Sequence, residues 1–165
     1  MNYIIRPVVA RDMDFLWDML FYAAHMAEDG ATSSEAARQD PFLALYVDGW
    51  GRAGDVGCVA VDAGTGERLG AAWVRVLHDD MPELAIAVLP AAIGQGIGTA
   101  LIRHVLEAAR ADHAAIMLTV RVDNPAARLY ERLGFTIVEQ ITNRVGSMSH
   151  KMVFRYEREP ATLAT

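Results

Sequence analysis

The sequence is short of cysteine, and this scarcity limits how the chain can be held together. Cys58 is the one cysteine among 165 residues, so no disulfide can form within the chain. Such usage suits a reducing compartment, and we expect a cytoplasmic protein. The first residues, MNYIIRPVVARDMDF, also lack the unbroken apolar core of a signal peptide. Cys58 lies in the apolar run VGCVAV, where we expect a buried strand residue and a nucleophile is the alternative.

The sequence has fewer basic than acidic residues, which disfavours nucleic acid as a partner. Lys and Arg number 15 against 21 Asp and Glu, which gives a formal net charge of −6. Nucleic-acid-binding proteins usually carry the opposite balance, so we expect no nucleic acid as partner. A cationic small molecule or a basic peptide is compatible with an acidic chain.

The sequence also lacks a convincing membrane span and a metal motif. The residues from Leu84 to Ile102 include no charge, and this stretch nearly reaches the length that spans a bilayer. Pro90, Gln95 and three glycines lie in its middle, which favours a strand, a glycine loop and a helix start. We therefore expect no membrane as partner. His, Cys, Asp and Glu show no metal-ligand spacing, so we expect no metal site.

What remains is typical of one globular domain. Hydrophobic residues make up 53% of the chain, and 165 residues can bury a full core. No internal repeat or long linker interrupts the sequence. We predict a single domain over residues 1–158, followed by a flexible tail over residues 159–165.

Hydrophobic periodicity predicts a mixed order of strands and helices. A first helix is expected over Arg11–Ala27, with Asp12 as its cap or first-turn acid. Further helices are expected after the glycine loop and within NPAARLYERLG, and Pro41 is a candidate helix start in PFLALYVDGW. The helix after the loop is expected to have an apolar face made of Ile97, Leu101, Val105 and Ala108. Strands are predicted for the segments YIIRP, DVGCVAVD, RLGAAWVRVLH, ELAIAVLP, AAIMLTVRV, FTIVEQI and SHKMVFRYE.

Three glycines in the segment IGQGIGTAL, residues 93–101, stand where a helix must begin. Glycine costs up to about 1 kcal/mol against alanine inside a helix, so this position needs bare backbone for another reason. A helix start has unpaired N–H groups and a partial positive charge, which together bind anions. The loop therefore predicts a phosphate site, although it fits neither the dinucleotide fingerprint nor the P-loop. Close packing of a strand on the helix is the alternative explanation.

A second motif follows the next predicted strand. The segment NPAARLYERLGF, residues 124–135, contains an asparagine, two alanines, the pair Leu-Tyr and a closing Gly-Phe. Together with the loop IGQGIG at residues 93–98, it resembles the signature of the GCN5-related N-acetyltransferase (GNAT) superfamily. That signature is Q/R-x-x-G-x-G/A after a strand, then N-x-x-A-x-x-L-Y-x-x-x-G-F further along the chain. Ile93 departs from the signature, because the family usually has Gln or Arg at that place. Ala127 stands one place late for the usual alanine, although Ala126 is also present.

The resemblance implies a fold and an activity. The fold would be α/β, with a central, mostly antiparallel sheet that has one parallel, splayed strand pair and is flanked by helices. The segments ELAIAV and AIMLTV would form the splayed pair. The activity would be transfer of the acetyl group of acetyl-coenzyme A to a primary amine, by direct attack in a ternary complex. A non-catalytic acyl-coenzyme A sensor is the alternative function.

The resemblance also implies where acetyl-coenzyme A would lie. Its diphosphate would contact the backbone amides of the glycine loop, and its pantetheine would pair with the preceding strand like an added strand. Asn124 is expected to cap its helix and is a further candidate contact. The cofactor-binding residues that the resemblance implies are Ile86, Ala87, Val88, Ile93, Gly94, Gln95, Gly96, Ile97, Gly98, Thr99, Asn124 and Tyr130.

The catalytic roles come from the same resemblance. Tyr130 is the candidate acid for the departing thiolate, and a core tyrosine bonded to a nearby carbonyl is the alternative. Glu83 is the candidate base, and a solvated charge at a strand start is the alternative. The Val88 amide is the candidate donor to the oxyanion. Thr119 occupies the place where other family members have a glutamate. Water molecules without a dedicated base are another route, and three side chains rival Glu83: His78, Asp79 and Asp80.

The acceptor would be a small-molecule or peptide amine that the sequence does not identify. Its pocket would be built by the first helices, the hairpin and the last strands. Several large side chains are candidate walls, with core packing or a homodimer contact as the alternative: Trp17, Phe21, Tyr22, His25, Trp50, Trp73 and Arg75. Two further histidines, His104 and His113, are expected to be solvated.

Overall fold

The computed structural model describes residues 2–24, 30–31, 33–78, 81–143 and 145–157. The chain divides into two units, residues 1–113 and 114–165, and each is described by itself. The elements of the first unit are β1 (Tyr3–Pro7), α1 (Met13–Ala23), α2 (Glu35–Gln39), α3 (Pro41–Ala44), β2 (Val56–Asp62), β3 (Arg68–His78), β4 (Met81–Val88) and α4 (Ile97–Ala109). Those of the second unit are β5 (Ala115–Arg121), α5 (Ala126–Arg132), β6 (Thr136–Thr142) and β7 (Met148–Arg155). None of the helices in these described ranges is long and apolar enough to cross a bilayer.

Four antiparallel strands form the sheet of the first unit, in the order β1-β2-β3-β4. The register of β3 on β4 places Trp73 opposite Ala85 and Arg75 opposite Glu83. Because side chains alternate along a strand, these four residues project from one face of the sheet. The same face packs against α1 and the apolar residues of α2 and α3. The other face is covered by α4.

The apolar face of α4 is close to the prediction. Burial is confirmed at three of the four expected positions, Ile97, Leu101 and Val105. The expectation for Ala108 is wrong, because Ala108 is exposed and Ala109 is buried in its place. A second row of buried residues, Ile102 and Leu106, lies one position further along the helix. It widens the apolar face, which ends at Ala109.

The predicted buried position of Cys58 is confirmed. The thiol on β2 is 1% exposed, and its Sγ donates to the Leu101 carbonyl at 3.6 Å. Burial raises the pKa of the Cys58 thiol to about 12. A thiol that stays protonated at neutral pH is a poor nucleophile, which disfavours the alternative role.

A buried carboxylate organises the approach to α1. Asp12 is fully buried and accepts two hydrogen bonds from Arg6, at 2.7 and 2.9 Å. It also accepts the Val9 N–H at 2.9 Å, so it caps the 3-10 turn ahead of α1 rather than α1 itself. Arg68 lies 3.4 Å from the same carboxylate. The helix begins one residue after Asp12, and the last predicted residues, 25–27, lie outside the described part of the chain.

The second unit is a three-stranded antiparallel sheet in the order β5-β7-β6. The Asn124 side-chain oxygen accepts the Ala126 N–H at 2.9 Å, which confirms the predicted cap of α5. Gly134 ends the helix with a φ of 106°, a conformation that favours glycine. Phe135 follows at once and is 1% exposed, with its ring centroid 5.6 Å from that of Phe154.

Asp12→Asn should destabilise the first unit. Burial alone would raise the pKa of Asp12, but hydrogen bonds from Arg6, Val9 and Arg68 and the charge of Arg6 outweigh it and lower the pKa. We expect a loss of about 1–3 kcal/mol in the free energy of unfolding at pH 7, measured by urea titration. A lowered pKa stabilises the fold above the unfolded value, so the difference from wild type should shrink as pH falls below about 4.

The control for this change is Asp14→Asn. Asp14 pairs with Arg38 at 3.0 Å, but its side chain is 90% exposed. An exposed ion pair of this kind contributes about 0.5 kcal/mol, so the control should unfold almost like wild type. Equal losses in the two variants would contradict the account of Asp12.

Candidate functional site

The glycine loop is open to solvent. β4 ends at Val88, a 3-10 turn covers Pro90–Ala92, and Gly96 precedes the first residue of α4. Gly94 and Gly96 have φ values of 86° and 79°, which L-residues rarely adopt. A Cβ added to either would meet no described atom within 4 Å. The two glycines are therefore required by the turn and not by tight packing against the protein.

A row of backbone donors borders this open space. Within the described ranges, no N–H from Gly94 to Thr99 donates a hydrogen bond, and the first intrahelical bond joins the Ala100 N–H to the Gly96 carbonyl at 3.2 Å. We call the N–H groups of Gly94–Thr99 the amide row. Gly98 is no tighter, since a Cβ there would lie 3.8 Å from a Val88 methyl, an ordinary contact. This geometry disfavours close packing as the reason for the glycines and fits an anion.

The end of β4 that leads to the loop is less buried than its start. Residues 82–85 are buried, whereas 86–88 are half-buried. The Leu89 N–H donates to the Leu69 carbonyl of β3 at 2.8 Å. Because alternate residues of a strand turn their backbone groups to the same edge, Ala87 faces β3, and Ile86 and Val88 direct theirs to the opposite edge.

Glu83 lies on β4, and the structure places it in the protein interior. The residue is 9% exposed, and its carboxylate accepts a hydrogen bond from the Tyr46 hydroxyl. The alternative of a solvated charge is therefore wrong, because the layer that holds Tyr46 covers this part of the strand. Of its proposed rivals, Asp79 and Asp80 lie outside the described residues, as does the side chain of His78.

Sequence analysis does not predict a role for Tyr46, which lies among several buried hydrogen bonds of the first unit. The indole N–H of Trp73 donates to the Tyr46 carbonyl at 3.0 Å. Arg75 donates to the Leu45 carbonyl at 3.1 Å and makes two hydrogen bonds to Asp55, at 2.8 and 3.0 Å. Trp73 and Arg75 are at most 1% exposed, so core packing is the correct reading for both.

The remaining candidate walls of the acceptor pocket differ in exposure. Phe21 is 7% exposed and belongs to the core, with the ring of Tyr22 edge-on at 5.2 Å. Trp17 and Trp50 are half-buried. Each packs against a guanidinium, since Arg38 lies 5.1 Å from the Trp17 ring centroid and Arg75 lies 5.4 Å from that of Trp50. A further candidate, His25, lies outside the described residues.

Tyr130 on α5 is half-buried in the second unit. Its ring meets Phe135 edge-on, with centroids 6.1 Å apart. The alternative predicted for Tyr130 is a hydroxyl bonded to a nearby carbonyl. Among the described residues, no carbonyl accepts a hydrogen bond from this hydroxyl. Burial raises the pKa of the hydroxyl above its ordinary value. Thr119 on β5 is exposed.

The two remaining histidines differ. His104 on α4 is exposed, as expected. His113, expected to be solvated, is half-buried, and its Nε2 lies 2.9 Å from the Gly54 carbonyl, so it is solvated only in part. Across the described parts of the chain, no group of three His, Cys, Asp or Glu side chains could hold a metal ion.

Known structures resemble this chain along nearly its whole length. The ribosomal-protein-S18-alanine N-acetyltransferase from Escherichia coli is 21% identical with a TM-score of 0.69, and the match covers 99% of this chain and 100% of that one. A mutant spermidine/spermine N-acetyltransferase from Vibrio cholerae is 20% identical with a TM-score of 0.66, covering 93% and 95%. A chain of the NatC complex bound to Gag peptide and CoA is 19% identical with a TM-score of 0.62, covering 95% and 100%.

These likenesses confirm the predicted mixed α/β fold class. No curated protein matches the sequence. The Acetyltransferase (GNAT) family, however, matches residues 19–135, which is well over half of the 165. This chain therefore belongs to the GNAT family of acetyltransferases.

Proposed function

We propose that this protein transfers the acetyl group of acetyl-coenzyme A to a primary amine, which attacks the thioester directly in a ternary complex. The amide row carries the proposal. It combines several donors, the positive end of a 13-residue helix and open space in front of them. A diphosphate is the anion of coenzyme A that such a row suits, and a structural relative in the NatC complex was solved with CoA.

The proposed contacts with the cofactor use backbone more than side chains. The amide row would hold the diphosphate, and the backbone of Ile86 and Val88 would pair with the pantetheine. Ile93 is 68% exposed and apolar, so it would replace the usual Gln or Arg without adding a polar contact. Binding of the diphosphate by backbone amides does not require the Gln or Arg side chain.

The transfer requires a proton to leave the amine and a proton to reach the thiolate. We assign the first role to Glu83 and the second to Tyr130, by its place in the motif. The amine nitrogen bonds to the thioester carbon to give a tetrahedral oxyanion, which the Val88 N–H would stabilise, and the C–S bond breaks as the oxyanion collapses. Burial raises the pKa of the Tyr130 hydroxyl, so the hydroxyl keeps its proton until the thiolate departs; the raised pKa makes it a weaker acid, and the assignment rests on the motif.

Amine acceptors are the decisive test of this function. Structural relatives act on spermidine or spermine and on the alanine of a ribosomal protein, so both amine types belong in the panel. We expect release of coenzyme A thiol from acetyl-coenzyme A with at least one of an amino acid, spermidine, an aminoglycoside, or a peptide that offers an N-terminal alanine or a lysine. Tight coenzyme A binding with no release for any amine would favour the sensor function and contradict the proposal.

Gly96→Ala should weaken coenzyme A binding. Alanine is strained at a φ of 79°, so the turn would relax, its N–H groups would rotate, and a methyl group would enter the open space. We expect the dissociation constant for coenzyme A, measured by calorimetry, to rise at least about tenfold, and the free energy of unfolding to fall by about 1 kcal/mol.

Gly66→Ala is the matched control, because Gly66 lies in the β2–β3 turn with a φ of 76° and equally open space. It should lose the same stability and keep the affinity for coenzyme A. If the two variants bind coenzyme A equally well, the amide row is not the diphosphate site.

Tyr130→Phe should slow turnover and spare binding. Loss of the acid leaves the thiolate to depart unprotonated, and we expect kcat to fall at least about tenfold with the most active amine of the panel. The dissociation constant for coenzyme A should stay within about twofold. Tyr3→Phe, which removes a hydroxyl from half-buried β1, is the control and should turn over like wild type. Unchanged turnover in Tyr130→Phe would remove Tyr130 from the mechanism.

A further inference from the structure

Tyr46, in the helical layer of the first unit, contacts the carboxylate of Glu83 on the sheet, which we propose as the base. Tyr46 lies in the turn after α3, and its hydroxyl donates to Glu83 Oε2 on β4. The two residues are 37 positions apart in sequence. The contact therefore depends on how α3 and its following turn sit on the sheet.

That turn is fixed to the sheet by buried side chains of β3. Trp73 holds the Tyr46 carbonyl at 3.0 Å, and Arg75 holds the carbonyls of Leu45 and Asp48. Arg75 is fixed in turn by its ion pair with Asp55, whose side chain is 3% exposed. These donors bind backbone carbonyls before, at and after Tyr46 in the chain. Tyr46 therefore has little freedom to move relative to β4.

In the contact between Tyr46 and Glu83, the hydroxyl is the donor and the carboxylate is the acceptor. Burial, together with the charge and hydrogen bond of Glu83, raises the pKa of Tyr46 far above its ordinary value. The hydroxyl is therefore always a donor and does not compete with Glu83 as a base. Arg75 lies opposite Glu83 in the strand register, but its guanidinium is engaged by Asp55 and by the turn.

We propose that Tyr46 is a positioning residue, which holds one oxygen of Glu83 and so fixes the orientation in which the carboxylate receives the proton of the acceptor amine. This inference rests on the proposed function, in which that proton moves from nitrogen to Glu83 as the C–N bond forms, and the C–S bond breaks as the oxyanion collapses. A carboxylate with one oxygen fixed presents its lone pairs in a defined direction, which general-base catalysis requires.

A double-mutant cycle tests the proposal with Tyr46→Phe, Glu83→Gln and the two combined. Phenylalanine keeps the ring and its packing but removes one donor to a buried carboxylate, so the protein should stay folded with a melting temperature a few degrees below that of wild type. With the most active amine of the panel, we expect kcat to fall about tenfold in Tyr46→Phe and about 100-fold in Glu83→Gln. The combined variant should equal Glu83→Gln within about twofold, because Tyr46 acts through Glu83. Tyr3→Phe is again the control and should match wild type.

Three outcomes would overturn the proposal: kcat within twofold of wild type in Tyr46→Phe, losses that multiply in the combined variant, or full activity in Glu83→Gln. Calorimetry with coenzyme A separates these results from failure of the proposed function. Wild type that neither binds coenzyme A nor releases thiol refutes the acetyltransferase function itself. Active wild type with an unaffected Tyr46→Phe refutes the positioning role alone.

Discussion

Unsatisfied backbone donors at the start of α4 are the constraint on which the site depends. A helix start always presents such donors, and most proteins cover them with a capping side chain or leave them to water. Here the N-cap residue is Gly96, which has no side chain to cap with, and residues 93–96 are exposed. The sequence thus maintains a place where an anion would meet main-chain N–H groups.

The rest of the first unit serves to hold β4 and α4 in place. α4 packs through buried Leu101 and Val105 on one face of the sheet, and α1 packs on the other. β4 therefore carries two kinds of surface along one strand. Glu83 projects toward the helical layer of α1–α3, and the residues leading to the loop offer backbone at the strand edge. In the proposed function one strand would in this way serve both the acceptor amine and the thioester, which is why we place the chemistry there.

Sequence analysis predicted the features that depend on local structure. The glycine loop, the Asn124 cap and the stripe of α4 each follow from residues within one or two turns of one another, so their spacing is informative. Glu83, Tyr46 and His113 show the opposite case. Their partners lie far along the chain, 37 positions away for Glu83 and 59 for His113, and no periodicity encodes such contacts. The error at Ala108 is smaller. The apolar face of α4 has two rows of buried residues where one was predicted, and the second row ends one residue later, at Ala109.

The central claim is that the amide row binds the diphosphate of coenzyme A. Backbone amide resonances of a ¹⁵N-labelled protein, followed by NMR during titration with coenzyme A, test it at the atoms concerned. The account predicts that the largest shift changes fall on residues 94–99, and that pyrophosphate alone perturbs the same amides in the same direction. Saturable changes confined to other parts of the chain, with residues 94–99 unmoved, would contradict it.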